Sequence, residues 1–318
     1  MDTQYKLCVL DRGECRLDYS ALEEYGYTVN VFETSTPEET LERLVDVDIV
    51  ITNKVEINDE LMNAAKKLKL ICVAATGVNN VDLSAARRRK ISVSNVPGYS
   101  TQSVADLTLT FLLALNCNLL SYQKLIREKK WQNADFFSLP RFSFSDLNTR
   151  TLGLIGLGSI GSQVQKMAQA LGVHVLVAKR DSNDTREGRV DFIEVLRRSD
   201  YVSLHCPLME NTKLLMNRKS IAQMKKGACL INTSRGGLLD EEAVAEAIKS
   251  GHLGGIAVDV LSTEPPSSDN PLLLLSQPNV IITPHIAWAS NESQKRLLNE
   301  LVENIHAFTQ GIPRNRVD

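Results

Sequence analysis

Short apolar runs separated by polar, helix-forming stretches dominate the first hundred residues. Lys6–Leu10, Thr28–Phe32, Asp48–Thr52, Leu70–Ala74 and Ile91–Ser94 are rich in Val, Ile and Leu and read as buried strands. Between them, Pro37–Val45 and Asn58–Lys67 read as helices. Pro37 suits a first helical turn, and Glu38 and Glu39 suit the positive end of the helix dipole. Strands alternating with helices predict a parallel sheet in a small, doubly wound α/β domain.

Pro97-Gly98 interrupts this rhythm. A helical pattern follows from about Thr101 to Lys130, apolar enough to require burial in a core or an oligomer interface, and then an aromatic-rich connection from Trp131 to Phe144. A second alternating set begins at Thr151. Strands are predicted at Thr151–Ile155, His174–Val177, Tyr201–Leu204, Ala228–Asn232, Gly255–Val258 and Val280–Ile282. Helices are predicted at Ser159–Leu171, Val190–Arg198, Asp240–Lys249 and Asn291–Thr309. Six strands with intervening helices amount to a full doubly wound dinucleotide fold, and the last helix is free to return to the first domain.

The 318 residues suit about two domains, and 43% hydrophobic with 23% charged residues is ordinary for a soluble globular protein. Thirty-six basic against 38 acidic residues leave a net charge of −2, so no global basic field recruits nucleic acid or acidic lipid. The basic run Arg87–Lys90 reads as a solvated helix end before a strand. No stretch approaches the roughly 20 apolar residues of a membrane span. Met1–Leu10 has no basic region followed by a long apolar one, which points away from secretion. The scattered Cys8, Cys15, Cys72, Cys117, Cys206 and Cys229 fit reduced thiols in a cytoplasm better than disulfides or a zinc site.

Three groups of residues carry chemistry. The first is Gly156-Leu157-Gly158-Ser159-Ile160-Gly161, which leaves an apolar strand and opens a helix. Glycines there permit a tight turn and close approach of the backbone to a pyrophosphate, and the helix N-terminus supplies N–H donors. The second is the end of the next strand. About 20 residues after Gly158, where an acid commonly holds the ribose 2′-hydroxyl of NAD, stand Ala178, Lys179 and Arg180. Two cations would pair with a 2′-phosphate, so NADP(H) is favoured and NAD(H) remains possible. The alternative is that both side chains face solvent and Asp181 takes the ribose.

The third group comprises three strand ends: Asn232-Thr233-Ser234-Arg235-Gly236-Gly237, Asp259-Val260-Leu261-Ser262-Thr263-Glu264-Pro265, and Thr283-Pro284-His285-Ile286-Ala287-Trp288. All fall at carboxyl ends of parallel strands, where open α/β sheets bind ligands. An Arg can grip a carboxylate through two parallel hydrogen bonds. A His exchanges a proton near neutral pH, and a carboxylate on its other nitrogen fixes the tautomer and favours the imidazolium.

With these motifs assembled, the sequence resembles the D-isomer-specific 2-hydroxyacid dehydrogenases over nearly its whole length. Ala74-Ala75-Thr76-Gly77-Val78, Asn95-Val96-Pro97, Ser103-Val104-Ala105-Asp106 and His205-Cys206-Pro207-Leu208 add to the resemblance. Asp259–Pro266 and Pro284–Ser290 are most similar to the glycerate dehydrogenase/hydroxypyruvate reductase branch. The resemblance implies a Rossmann cofactor domain, residues 99–287, inserted into a flavodoxin-like substrate domain, residues 1–98 plus 288–318. It implies that Arg235 binds the substrate carboxylate, with backbone N–H groups around Thr76 and Gly77 assisting. His285 would exchange the proton and Glu264 would hold it. Asp259 would orient the nicotinamide, Ser159 and Ile160 would meet the pyrophosphate, and His205, Pro207, Thr212 and Thr233 would line the cofactor cleft. A homodimer built on the cofactor domain is implied as well. The family's usual acidic ribose ligand aligns with Lys179, a departure that again points toward NADP(H).

The expected substrate is a small 2-oxoacid such as hydroxypyruvate or glyoxylate. The competing class is a dinucleotide-sensing regulator of the corepressor type, which can retain the Arg, Glu and His. Two enzymatic neighbours are disfavoured. Formate dehydrogenases of this fold carry Gln where Glu264 stands, and phosphite dehydrogenases carry Lys where Thr76 stands.

Overall fold

The computed structural model describes residues 5–13 and 17–318, so Cys15 lies outside the described residues. The chain divides into two units: one runs to Ser100 and resumes at Ala289–Asp318, and the other is Thr101–Trp288.

The first unit contains β1 (Lys6–Val9), α1 (Ser20–Glu23), β2 (Thr28–Val31), α2 (Pro37–Leu44), β3 (Ile49–Thr52), α3 (Asp59–Ala64), β4 (Leu70–Val73), α4 (Leu83–Arg89) and β5 (Ser92–Ser94). The strands pair in parallel in the order β2-β1-β3-β4-β5. That is the flavodoxin-like order. Local chemistry starts the helices. Thr36 and Glu39 form a reciprocal capping box ahead of Pro37, and Asn58 and Asp82 cap α3 and α4 through their side chains. Val50, Ile71, Val73 and Val93 from the strands pack with Leu44, Met62, Ala85 and Ala86 from the helices. The basic run ends α4, where Lys90 takes a left-handed conformation and Arg89 pairs with Asp59 at 2.9 Å.

The second unit contains α5 (Thr101–Asn116), α6 (Leu119–Arg127), β6 (Thr151–Ile155), α7 (Ser159–Ala170), β7 (His174–Ala178), β8 (Arg189–Val190), α8 (Phe192–Arg198), β9 (Tyr201–Leu204), α9 (Arg218–Ile221), β10 (Ala228–Asn232), α10 (Glu241–Lys249), β11 (Leu253–Val258) and β12 (Val280–Ile282). Its sheet is parallel, in the order β12-β11-β10-β9-β6-β7-β8. Most of the apolar run of α5 is core: Leu109, Phe111, Leu112 and Leu115 pack with Leu152, Leu154, Val164 and Ala168.

Four expectations need correction. Thr28–Phe32, expected as a buried strand, forms the edge strand β2, with Thr28, Asn30 and Val31 exposed. The single helix expected from Thr101 to Lys130 is two, bent by 62°. Asn118 takes φ +51°, and the amides of Asn116 and Asn118 donate to the carbonyls of Ser145 and Ser143, so polar side chains buy the returning chain a place at the break. A two-residue edge strand, β8, raises the sheet to seven strands, and the helix expected from Val190 starts at Phe192. Short helices α1 and α9 stand where none was expected. Among the described residues no single helix is long and apolar enough to cross a membrane.

The last helix, α11 (Asn291–Thr309), belongs to the first unit. There Asn304 donates to the Asn95 carbonyl at 2.9 Å, Arg296 to the Tyr99 carbonyl at 2.8 Å, and the Val317 amide to Val93 at 2.9 Å.

In each sheet the chain reverses direction beside its first strand, and such switch points are where open α/β sheets take ligands. In the first unit the reversal lies between β1 and β3. The Asp11 carboxylate there accepts the amides of Asn53, Lys54 and Val55 and pins the loop after β3. In the second unit it lies between β6 and β9, at the glycine turn.

Candidate active site

The glycine turn leaves β6 at the switch point. Gly156 has φ +101°, and a Cβ on it would stand 2.6 Å from the His205 carbonyl oxygen. A Cβ on Gly161 would stand 2.4 Å from the Gly156 carbonyl oxygen. Gly158 instead faces open space, with no heavy atom within 4 Å of its would-be Cβ. The outer glycines therefore let backbones pack, and the middle one leaves the backbone open to a ligand. Gly158 is also the N-cap of α7 and offers no side-chain cap. The amides of Ser159, Ile160 and Gly161 thus sit in a first helical turn suited to an anion. This cradle fits a dinucleotide pyrophosphate.

Beyond β7, Lys179 Nζ pairs with Asp191 at 3.1 Å. Asp184 organises the following loop: it accepts the Arg180 amide at 2.8 Å and two hydrogen bonds from the Arg186 guanidinium, at 2.7 and 2.6 Å. Those bonds hold its carboxyl well below the usual carboxylate range. Asp181 accepts the Asn183 amide at 2.8 Å, and the Arg180 side chain is exposed.

His205, after β9, packs beneath the turn, its Cβ 3.3 Å from the would-be Cβ of Gly161. Its Nε2 lies 2.9 Å from Ser203 Oγ, its Nδ1 is buried without a protein partner, and burial pushes its pKa down to about 4. Thr212 closes the adjoining loop by donating to the Pro207 carbonyl at 2.7 Å and accepting the Met209 amide. Thr233 is buried, with its hydroxyl 3.0 Å from that of Thr108 on α5.

The ends of β10, β11 and β12 bring the remaining candidates to the same edge. His285 Nδ1 lies 2.6 Å from Glu264 Oε2, while Glu264 Oε1 accepts the Leu261 amide at 2.9 Å. His285 is left-handed, φ +55°, an uncommon conformation for a residue with a side chain. Its amide is held by the carbonyls of Asp259, at 2.8 Å, and Thr283. The buried Asp259 carboxylate accepts the Thr283 hydroxyl and the amides of Ile286 and Ala287 at 2.9 and 2.8 Å. Burial raises its pKa, and those hydrogen bonds oppose the rise. Asp259 thus shapes the turn that presents His285. Arg235 is exposed, with Nη1 donating to the Ser234 carbonyl at 2.7 Å and its own carbonyl accepting Asn232 Nδ2 at 2.9 Å.

Thr76 and Gly77 follow β4 and so belong to the first unit. There Thr76 donates to the Val96 carbonyl at 3.0 Å, and its own carbonyl accepts Asn95 Nδ2 at 2.7 Å.

Residues 109–287 match the model of the D-isomer specific 2-hydroxyacid dehydrogenase NAD binding domain. The chain belongs to the D-isomer specific 2-hydroxyacid dehydrogenase family. As a member it is an oxidoreductase acting on 2-hydroxy acids with a nicotinamide dinucleotide. It is 39% identical to a glycerate dehydrogenase of Methylorubrum extorquens over 98% of this chain and 99% of that protein. It is 37% identical to a hydroxypyruvate reductase of Blautia hydrogenotrophica over the same shares. Among solved structures, an acyclic imino acid reductase in complex with NADPH and D-Arg superposes with a TM-score of 0.87. That pair is 31% identical and covers 98% of this chain and 100% of the other.

Two residues beside this dehydrogenase's candidate site make contacts that the sequence does not show. Gly236 follows Arg235, and a Cβ on it would stand 1.9 Å from the backbone carbon of Leu261, so the Arg235 turn lies directly on the loop that carries Glu264. The Gly-Gly doublet was the available signal. Glu241, the first residue of α10, is buried and accepts Ser262 N at 2.7 Å, Ser262 Oγ at 2.8 Å and Asn270 Nδ2 at 2.8 Å. In the sequence it reads only as an ordinary first-turn acid.

Proposed function

We propose that this enzyme reduces a small 2-oxoacid, with hydroxypyruvate or glyoxylate favoured, to the corresponding 2-hydroxy acid, and that NADP(H) is preferred over NAD(H). The observation that carries the reading is the Glu264–His285 pair at 2.6 Å, on the same sheet edge as the glycine cradle. The relatives named for glycerate and hydroxypyruvate support the substrate class.

In this reading residues 99–287 hold the cofactor, and residues 1–98 with 288–318 supply the substrate contacts around Thr76 and Gly77. Arg235 binds the substrate carboxylate and helps polarise the 2-oxo group. Glu264 accepts a hydrogen bond from His285 Nδ1–H and leaves Nε2 to deliver a proton to the 2-oxo oxygen. The imidazolium is stabilised by the carboxylate beside it. A nicotinamide dinucleotide held by the glycine cradle would supply a hydride to C2. In the reverse direction His285 takes the hydroxyl proton back. Ser159 and Ile160 hold the pyrophosphate by their amides, His205, Pro207, Thr212 and Thr233 line the cleft, and Asp259 orients the nicotinamide through the turn it shapes.

The NADP(H) preference rests on the exposed guanidinium of Arg180 and on the acids around it. Asp181 and Asp184 are engaged in capping their own loop, and Lys179 is shared with Asp191. A homodimer through the cofactor domain is supported by the exposed aromatic side chains of Trp131, Phe136, Phe137 and Phe144 in that unit. A cytoplasmic location suits the free thiols of Cys8, Cys72, Cys117, Cys206 and Cys229. No observation favours the regulator reading.

The test is a paired initial-rate assay on hydroxypyruvate with NADPH and then NADH at equal concentration. Faster oxidation of NADPH is expected. Preference for NADH would move the ribose contact toward Asp181. Cofactor binding without turnover on any of a panel of 2-oxoacids would overturn the enzyme reading.

A further inference from the structure

The loop that carries Glu264 is exposed from Ser262 to Asp269, and one buried carboxylate holds both its ends. Glu241 Oε1 accepts the Ser262 amide at 2.7 Å, and Oε2 accepts the Ser262 hydroxyl and the Asn270 side-chain amide, both at 2.8 Å. Asn270 is itself buried, and its Oδ1 accepts the Leu272 amide at 3.0 Å, which ties the loop's end to the chain that re-enters the core. The loop's start is pressed from the other side by Gly236, which leaves no room for a Cβ against Leu261 and Ser262. Glu264, two residues beyond Ser262, then reaches His285 from this fixed base.

We infer that Glu241 is a positioning residue for proton transfer: its carboxylate sets the place of the Glu264 carboxyl against His285 Nδ1. The inference rests on the proposed roles of Glu264 and His285. Glu241 does not touch substrate or cofactor in this scheme. It acts because an eight-residue exposed segment anchored at two points by one rigid group has little freedom to carry Glu264 away. Short, buried, charge-assisted hydrogen bonds are the strong kind. A small misplacement of a catalytic group is enough to lower turnover by orders of magnitude.

The test uses the full chain and reads the hydrogen bond itself. A proton shared between His285 Nδ1 and Glu264 gives a far-downfield NMR resonance, assigned by its loss in His285→Gln. The expected result for Glu241→Ala is loss or upfield movement of that resonance. With it, kcat for 2-oxoacid reduction falls roughly ten- to a hundredfold, while KM for the nicotinamide cofactor changes less than about twofold, since its contacts are untouched. Glu241→Gln, which keeps one acceptor oxygen for the Ser262 amide, should restore part of both signals. Asn270→Ala and Ser262→Ala each remove one tether, and should give smaller losses of the same kind even if Glu241→Ala does not fold. An unchanged resonance and kcat in folded Glu241 and Asn270 variants would overturn the inference. A normal resonance in the unsubstituted protein with no turnover on any 2-oxoacid would instead overturn the functional reading. Absence of the resonance from the unsubstituted protein would overturn both.

Discussion

Glu264 divides its carboxylate between two partners, giving Oε2 to His285 Nδ1 at 2.6 Å and Oε1 to the amide of Leu261 at 2.9 Å. One oxygen fixes the acid to its own loop and the other fixes the tautomer of the ring. The two side chains are about one-third and one-quarter exposed, so the pair is partly sheltered yet reachable from solvent.

Replacing His285 by Gln removes the proposed proton donor and leaves the glycine cradle intact. We expect kcat to fall by about 10²- to 10⁴-fold, the usual scale of general acid–base catalysis. The Kd for the cofactor, read by quenching of nicotinamide fluorescence, should stay within about threefold. Glu264→Gln should cost less, since the amide oxygen still accepts the Nδ1 proton but no longer stabilises a charged ring. Turnover of His285→Gln at the unsubstituted rate would remove the ring from the mechanism.

Gly236 and Gly237 give a matched pair of tests. A methyl group at Gly236 meets backbone atoms of Leu261 at 1.9 and 2.0 Å, and backbone cannot rotate away. At Gly237 it meets the Leu208 side chain at 2.9 Å, and Leu208 is exposed and able to move. Overpacking typically costs about 1–3 kcal/mol, and the backbone clash belongs at the upper end or above it. Gly236→Ala should lower Tm by at least about 5 °C and abolish most turnover, because the displaced loop bears Glu264. Gly237→Ala should leave both nearly unchanged. Equal effects of the two substitutions, measured by calorimetry and steady-state rates, would contradict the packing argument.

The division between what could and could not be read from the chain follows from range. Buried parallel strands announce themselves as continuous apolar runs, so Ile49–Thr52 or Ala228–Asn232 need no tertiary information. The glycine turn declares itself by residue type and by its place between a strand and a helix. Arg235, Glu264 and His285 are legible because each stands just past a strand end. The break at Asn118 is different. It depends on a left-handed residue and on carbonyls of Ser143 and Ser145, more than two dozen positions away in the chain. Glu241 is hidden for the same reason, since its partners Ser262 and Asn270 reach it only after α10 and β11 have packed. Asp259 is legible as an acid at a strand end, yet its hold on Thr283, Ile286 and Ala287 emerges only when β12 lies beside β11.

Cofactor choice should turn on Arg180 more than on Lys179. Lys179 already pairs with Asp191, whereas the Arg180 guanidinium is exposed beside a loop whose acids are occupied. A charge-assisted hydrogen bond contributes about 1.5–3 kcal/mol, which corresponds to a ten- to hundredfold effect. Arg180→Ser should therefore cut kcat/KM for NADPH by at least about tenfold while leaving that for NADH nearly unchanged. Lys179→Ser should shift the ratio less. A proportional loss with both cofactors would show that Arg180 supports the loop rather than reading a 2′-phosphate.

His205 ties acid sensitivity to the cofactor cradle. In the fold its pKa is pushed down to about 4 by burial, against about 6.5 for an unfolded chain. Between those values the unfolded chain binds a proton that the native protein refuses, so stability rises with pH across the interval. The contribution is fully present above pH about 6.5, declines as pH falls and is exhausted below about 4. The shift corresponds to roughly 3 kcal/mol at most. Because His205 lies under Gly161, the same acidification should weaken cofactor affinity. His205→Gln cannot take up the proton. Urea titrations at intervals from pH 7.5 to 4 should show its stability falling less steeply than that of the unsubstituted protein, with the two curves converging toward acid. Parallel curves over that range would mean that His205 does not titrate against folding.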